Sequence, residues 1–284
     1  MYKRVTYDFG NVRQVLKYYP GNYGAPGLSR SKKRKRTGEE IRKNNERSRV
    51  RKLQRLILAN FRTGRTVCLT YQKGKRPETI EEALQQRRQF LKKIRTECQK
   101  AGIHWKFIVV TERGKKGQAL HHHLVIEDIS EPVDLLRVIS KAWTFGRVNS
   151  TKMTEEEDAF YILADYLLKK DTKAGLQGTT YSRSRNLIIP EPRKEEIRRR
   201  TWSKEPKAPQ GWHVVKGSVI NAISPGGWPT QRYMLRKDEE PARKANERDR
   251  LRNMDERRGK NGRETGPGCQ QRGNNSGDHA ARND

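Results

Sequence analysis

Apolar and polar positions alternate in two rhythms along the middle of the chain. Arg65-Thr-Val-Cys-Leu-Thr-Tyr-Gln72 reads as a strand. Pro77 and Thr79 then open a helix, with Thr79 and Glu82 spaced as a capping box. Leu84, Leu91, Ile94 and Cys98 recur at helical spacing, and Gly102 is the stop. His104–Glu112 is a second strand, rich in β-branched and aromatic residues, and a turn over Arg113–Gln118 leads to a third, Ala119–Ile126. Pro132 marks the first turn of a helix reaching about Trp143, and a short strand is expected near Gly146–Ser150. Thr154 and Glu157, again a capping-box pair, predict a last helix to about Lys170. The order is β-α-β-β-α-β with one helix after it. It predicts an α+β, ferredoxin-like core: a central antiparallel sheet, two helices on one face, the other face open.

The rest of the chain is compositionally different. Hydrophobic residues are only 32% of the 284, low for a single globular unit of that length. Arg30–Arg36 has six basic residues in seven, and from about Arg236 the chain is charged, Gly/Asn-rich and nearly free of apolar residues. Four regions are therefore expected: a basic N-terminal extension over 1–60, a folded domain over 61–190, an appended segment packing on the core over 191–235, and a charged tail over 236–284. Both basic termini are expected to stay disordered without a partner.

Charge changes the picture most. The 63 Lys and Arg outnumber the 33 Asp and Glu by thirty, a surplus that calls for a polyanion, by default nucleic acid. No apolar run approaches the roughly 18–20 residues needed to span a bilayer, and the first residues lack a signal-like apolar region, so no membrane association is expected. Three widely spaced cysteines, Cys68, Cys98 and Cys269, fit neither a disulfide framework nor a zinc knuckle, and suit a reducing cytoplasm.

Candidate chemistry lies in the third strand. Three of the six histidines are consecutive, His121-His122-His123. Alternation puts His121 and His123 on one face and His122 on the other. Two imidazoles on one face are half of a metal site. If the hairpin centres between Lys116 and Gly117, Glu112 stands directly opposite His121 and completes a three-ligand set; a one-residue slip would break it. RNA recognition motifs share the element order but stack bases on aromatics of this strand, where this chain has imidazoles. In the last helix Tyr166 and Lys169 are three apart and share a face, with Lys170 almost as well placed, whereas Tyr161 is rotated away and reads as packing. A phenol beside a lysine and a metal suits phosphodiester transfer. Trp202, Trp212 and Trp228 are read as pinning the appended segment onto the core.

With strand, histidine pair and Tyr-x-x-Lys helix in that order, the chain resembles rolling-circle replication initiators of the HUH endonuclease superfamily, of bacterial plasmid and phage type. Val67-Cys-Leu-Thr-Tyr71 resembles the first family motif, Leu120-His-His-His-Leu-Val-Ile126 the His-hydrophobic-His motif, and Tyr166-Leu-Leu-Lys169 the catalytic motif. Tyr181–Leu187 resembles the stretch that follows the tyrosine, and the likeness covers roughly residues 60–215. His122 departs from the pattern, which has an apolar residue there. The resemblance implies a metal-dependent nickase of single-stranded DNA. Tyr166 would be the nucleophile and Lys169 its catalytic partner. Glu112, His121 and His123 would hold Mg²⁺ or Mn²⁺, a set that zinc also suits. Thr70, Lys170, Arg183 and Arg185 would contact DNA. Implied partners are single-stranded or supercoiled origin DNA and a host polymerase and helicase, since no G-x-x-x-x-G-K-[ST] motor motif is present, and the implied location is a bacterial cytoplasm. Rival readings are a related transposase or relaxase with the same chemistry, and a non-catalytic basic nucleic-acid-binding protein.

Overall fold

In chain order the elements are β1 (Tyr2–Asp8), β2 (Val12–Tyr18), α1 (Gly38–Asn60), β3 (Arg65–Thr70), α2 (Ile80–Lys100), β4 (Phe107–Gly114), β5 (Gln118–Ile126), α3 (Leu135–Ala142), β6 (Val148–Lys152), α4 (Tyr161–Leu168), β7 (Ser182–Arg183), β8 (Arg193–Ile197), β9 (Trp212–Val214), β10 (Ile220–Ile223) and β11 (Pro229–Lys237). They are seen in a computed structural model that describes residues 1–20, 30–114, 118–168 and 181–238. All of these except Asp238 belong to one unit, Met1–Lys237.

The strands pair into two sheets, one ordered β6-β3-β5-β4-β7 and the other β10-β11-β2-β1-β8 with β9 beside β11. Every pairing in both is antiparallel. The mixed composition is compatible with the α+β class. The first sheet holds the four strands expected from sequence, and β6 begins at Val148, within two residues of its expected start.

Helix starts follow capping chemistry. The Thr79 hydroxyl accepts from the Glu82 N–H, while the Glu82 carboxylate takes the Glu78 N–H, so only half of the expected box forms. The buried stripe of α2 is Ala83, Phe90, Ile94 and Cys98; Leu84 and Leu91, expected there, are only partly buried beside it. Asp134 caps α3 by accepting from the Arg137 N–H, so the helix starts after Pro132 rather than on it. The last helix is the larger correction. Thr154 and Glu157 start nothing helical; Ala159 and Phe160 take φ of 50° and 64°, and α4 begins at Tyr161. Left-handed backbone at two successive residues with side chains interrupts a helix that capping signals alone would start seven residues earlier.

Both faces of the five-stranded sheet are covered. Val67, Leu69, Val109 and Leu124 pack with Phe90 and Ile94 of α2 and Leu135 and Ile139 of α3. Ile108, Val110 and Val125 pack on the opposite face with Leu53 and Ile57 of α1 and Ala164 and Leu167 of α4. The expected open face is therefore largely roofed by α1 and α4. Each fully buried Ile or Leu contributes roughly 1.5–3 kcal/mol. Gln54 of α1 ties the roof together: its amide accepts from Gln14 on β2 and donates to the Asp158 and Ala159 carbonyls that precede α4.

The expected N-terminal extension is instead β1, β2 and α1, with Tyr2, Val5, Val12 and Val15 buried. Arg30–Arg36 lies along the turn between β10 and β11, where Ser31 N–H donates to Gly227 O at 3.2 Å and the Arg30 guanidinium sits 5.1 Å from the Trp228 ring centre. The segment expected to append itself over 191–235 supplies β8 to β11 of a sheet whose centre is the N-terminal hairpin. The tail boundary moves too, because Arg236 and Lys237 belong to β11. From residue 239 on, the tail lies outside the described residues.

Candidate metal centre and tyrosine

The register of β4 and β5 decides which side chains meet. Glu112 pairs with His121, Thr111 with His122 and Val110 with His123, as the expected hairpin centre requires. On the other side of β5, Thr70 pairs with His121 and Cys68 with His123. Directly opposed residues share a face, so Glu112, His121, His123, Thr70 and Cys68 all project to the side roofed by α1 and α4.

Glu112 is buried, and the two histidines are partly so. Glu112 Oε1 stands 3.0 Å from His121 Nε2 and 2.7 Å from His123 Nε2. One ligand atom from each residue lies within 4.8 Å of the others. Donors on adjacent positions of an octahedral shell, each about 2.1 Å from a cation, are about 3.0 Å apart. The two contact distances fit that spacing, and two imidazoles with a carboxylate are a suitable donor set for a divalent ion. Three protein donors leave part of a coordination shell to other ligands. Burial by itself would depress the His121 pKa, but hydrogen bonds to Glu112 and to the Ala119 carbonyl outweigh it and raise the pKa above its ordinary value.

Tyr166 of α4 reaches this group from the roof. Its hydroxyl is 3.3 Å from His123 Nε2, and the two rings meet edge to face with centres 5.4 Å apart. The side chain is still 43% exposed, so water and a strand could reach the hydroxyl. Burial, the negative charge of Glu112, the nearby Cys68 and a hydrogen bond to Glu112 all raise the pKa of the phenol. It is therefore a proton-bearing phenol at neutral pH. Burial and Glu112 likewise push the Cys68 thiol up.

His122 points to the other side, as alternation demands. It is fully buried, with Tyr71 Oη 2.9 Å from Nε2 and Thr111 Oγ1 2.8 Å from Nδ1. The Arg87 guanidinium donates to Thr111 Oγ1 at 2.7 Å. Burial, and then the positive charge of Arg87, drive the His122 pKa down to about 3.

The remaining candidates are placed less centrally. The Thr70 hydroxyl, beside His121, donates to the Arg147 carbonyl at 3.3 Å. Arg183 is exposed on β7 opposite Ile108, four residues from Glu112 along β4, or roughly 13 Å at strand rise. Arg185 is exposed and lies farther still in the same direction. Lys169 and Lys170 lie outside the described residues. Trp228 is buried, Trp202 stacks on Tyr19, and Trp212 lies under the Arg13 guanidinium, all within the six-stranded sheet and its surroundings. Cys68 was not singled out from sequence. It lies two residues before Thr70 on the same strand face, so alternation along β3 carried the signal.

Residues 64–171 match a family model for Replication-associated protein ORF2, which supports kinship with rolling-circle replication initiators. The matched stretch includes β3, β4, β5 and α4, and with them every member of the cluster around Glu112. Neither the comparison with curated proteins nor that with solved structures gave a match. Among the described residues no helix is long and apolar enough to cross a membrane.

Proposed function

We propose that this chain, matched over residues 64–171 by a replication-associated family, starts replication by nicking single-stranded origin DNA through Tyr166. The observation that carries the reading is the meeting of Tyr166 with His123 and Glu112, a phenol set against a candidate metal centre. We read β6-β3-β5-β4 with α2 and α3 as a ferredoxin-like core, and the whole as an HUH-type endonuclease.

In the proposed step Tyr166 Oη attacks a backbone phosphorus. A P–O bond forms to the phenol and the bond from phosphorus to the 3′ oxygen breaks. The 3′ oxygen leaves and takes up a proton, giving a 3′-OH primer, and a 5′-phosphotyrosine remains. The phenol proton goes to solvent, which the exposed edge of Tyr166 meets. Because the phenol pKa is raised, proton loss accompanies attack rather than preceding it. Glu112, His121 and His123 would hold Mg²⁺ or Mn²⁺, which would stabilise charge gathering on the phosphate oxygens. Lys169 is kept as the proposed partner that steadies the phosphate, with Lys170, Thr70, Arg183 and Arg185 as proposed DNA contacts. A host polymerase would extend the primer and a host helicase would unwind.

The test is a denaturing gel for a covalent protein–DNA adduct on single-stranded fragments flanking the gene. Wild type with Mn²⁺ is expected to give a slow-migrating adduct that Tyr166→Phe, His123→Ala and chelator each abolish. Binding without any adduct, on fragments tiling the whole replicon, would favour a non-catalytic nucleic-acid-binding protein.

A further inference from the structure

A second strongly basic place lies away from the metal centre. A cavity of about 630 Å³ opens between α1, the face of the six-stranded sheet that packs on it, and the start of α4. Arg47, Arg51, Arg55, Arg232 and Lys216 line it, against one carboxylate, Asp158. That carboxylate is already engaged, accepting the Ile162 N–H at the start of α4.

The arginines are arranged at a cost. Arg47, Arg51 and Arg55 follow each other at four-residue intervals, so they form one stripe along α1. Like charges at that spacing destabilise a helix. Arg232 of β11 faces the same cavity. Among the described residues none of these four arginines has an ion-pair partner. Burial, followed by Arg232 and Arg47, lowers the Arg51 pKa; burial, then Arg55, lowers that of Arg232. Arg55 is held flat on the Tyr7 ring, 3.7 Å from its centre, and by a hydrogen bond to Gln14. A half-buried group of unpaired guanidiniums, some in fixed orientation, is stabilised when an anion with several acceptor oxygens enters.

The cavity also adjoins the active helix. Tyr161 lines it and shares α4 with Tyr166. Five residues separate them by about 7.5 Å along the helix axis and about 140° around it. The pairing of arginines with aromatic rings is the chemistry that tracks an unpaired strand.

We infer that this arginine-lined cleft between α1 and the six-stranded sheet binds backbone phosphates of single-stranded DNA beyond the scissile position. The inference adds a second DNA contact to the proposed nickase and rests on that reading for its choice of polyanion.

The experiment measures binding of fluorescein-labelled dT20 by anisotropy across a salt series, in EDTA, with the full chain. No bond is cut under those conditions, so the outcome does not depend on whether Tyr166 is a nucleophile. Arg51→Gln with Arg232→Gln is expected to weaken binding about tenfold and to flatten the slope of log K against log salt by about 1.4, roughly 0.7 for each phosphate no longer neutralised. Its melting temperature is expected to stay level or rise, since repulsion is relieved. Lys92→Gln with Lys93→Gln, an equal charge loss on the exposed side of α2, is expected to change the slope little. Should the double arginine variant fail to fold, Arg47→Gln, exposed on the same stripe, is expected to lose about 0.7 in slope. An unchanged slope in the arginine variants, or an equal loss in the lysine variant, would overturn the inference.

Discussion

Alternation along β5 gives neighbouring imidazoles opposite tasks. His121 and His123 face Glu112, while His122 is sealed between Tyr71 and Thr111. Sealing has a pH signature. An unfolded histidine titrates near 6.5, whereas folded His122 titrates near 3. Above pH 6.5 both states are neutral and His122 costs nothing. As pH falls below 6.5 the unfolded chain binds a proton that the folded chain refuses, so stability is lost down to about pH 3. Between pH 6.5 and 4.5 the loss is about 2–3 kcal/mol at 1.36 kcal/mol per unit. Urea unfolding at the two pH values is expected to show it for wild type and to lose that share in His122→Phe. Equal pH dependence in the two proteins would mean that His122 accepts a proton in the fold. A cation held on the opposite face would push in the same direction as Arg87.

At the scale of elements, the placement of Tyr166 depends on how α4 begins. Gln54 donates to the carbonyls of Asp158 and Ala159, at the left-handed backbone from which the helix departs. Replacing that amide with an apolar side chain strands two buried acceptors. Gln54→Leu is expected to cost about 1–3 kcal/mol in chemical denaturation and to slow adduct formation more than a surface change of equal stability cost. Loss of stability with unaltered adduct rate would make Gln54 a structural group only. The start of α4 was not legible in sequence because Thr154 and Glu157 imitate a capping box, and no local pattern announces positive φ at Ala159 and Phe160. The metal centre was legible, because strand alternation and one hairpin centre fix which residues oppose Glu112. Those are local rules acting over about ten residues, and the pairing of β4 with β5 obeys them.

The scale of the whole molecule follows other rules. The six-stranded sheet is made from chain ends: Tyr18 pairs with Thr230, and Tyr2 with Ile197. Partners about two hundred residues apart leave no trace in a local window, so the first sixty residues read as a basic extension when only their composition is weighed. Side chains bind the two sheets together. Glu155, between β6 and α4, takes Asn11 from the β1–β2 turn at 2.7 Å and Arg62 from the end of α1 at 3.0 Å, and its carbonyl accepts from Arg236 of β11 at 3.1 Å. Phe9 and Val12 of the hairpin belong to the same core as Ala164 and Leu167 of α4. Removing residues 1–20 would therefore take the two central strands from one sheet and part of the roof from the other. The truncated chain is expected to expose 193–237 to protease, and to lose Mn²⁺-dependent adduct formation although every residue of the metal centre is retained. Limited proteolysis with mass mapping, alongside the adduct gel, reads both effects. A truncated chain that resists protease and still forms the adduct would return the hairpin to the status of an extension and leave the five-stranded sheet self-sufficient.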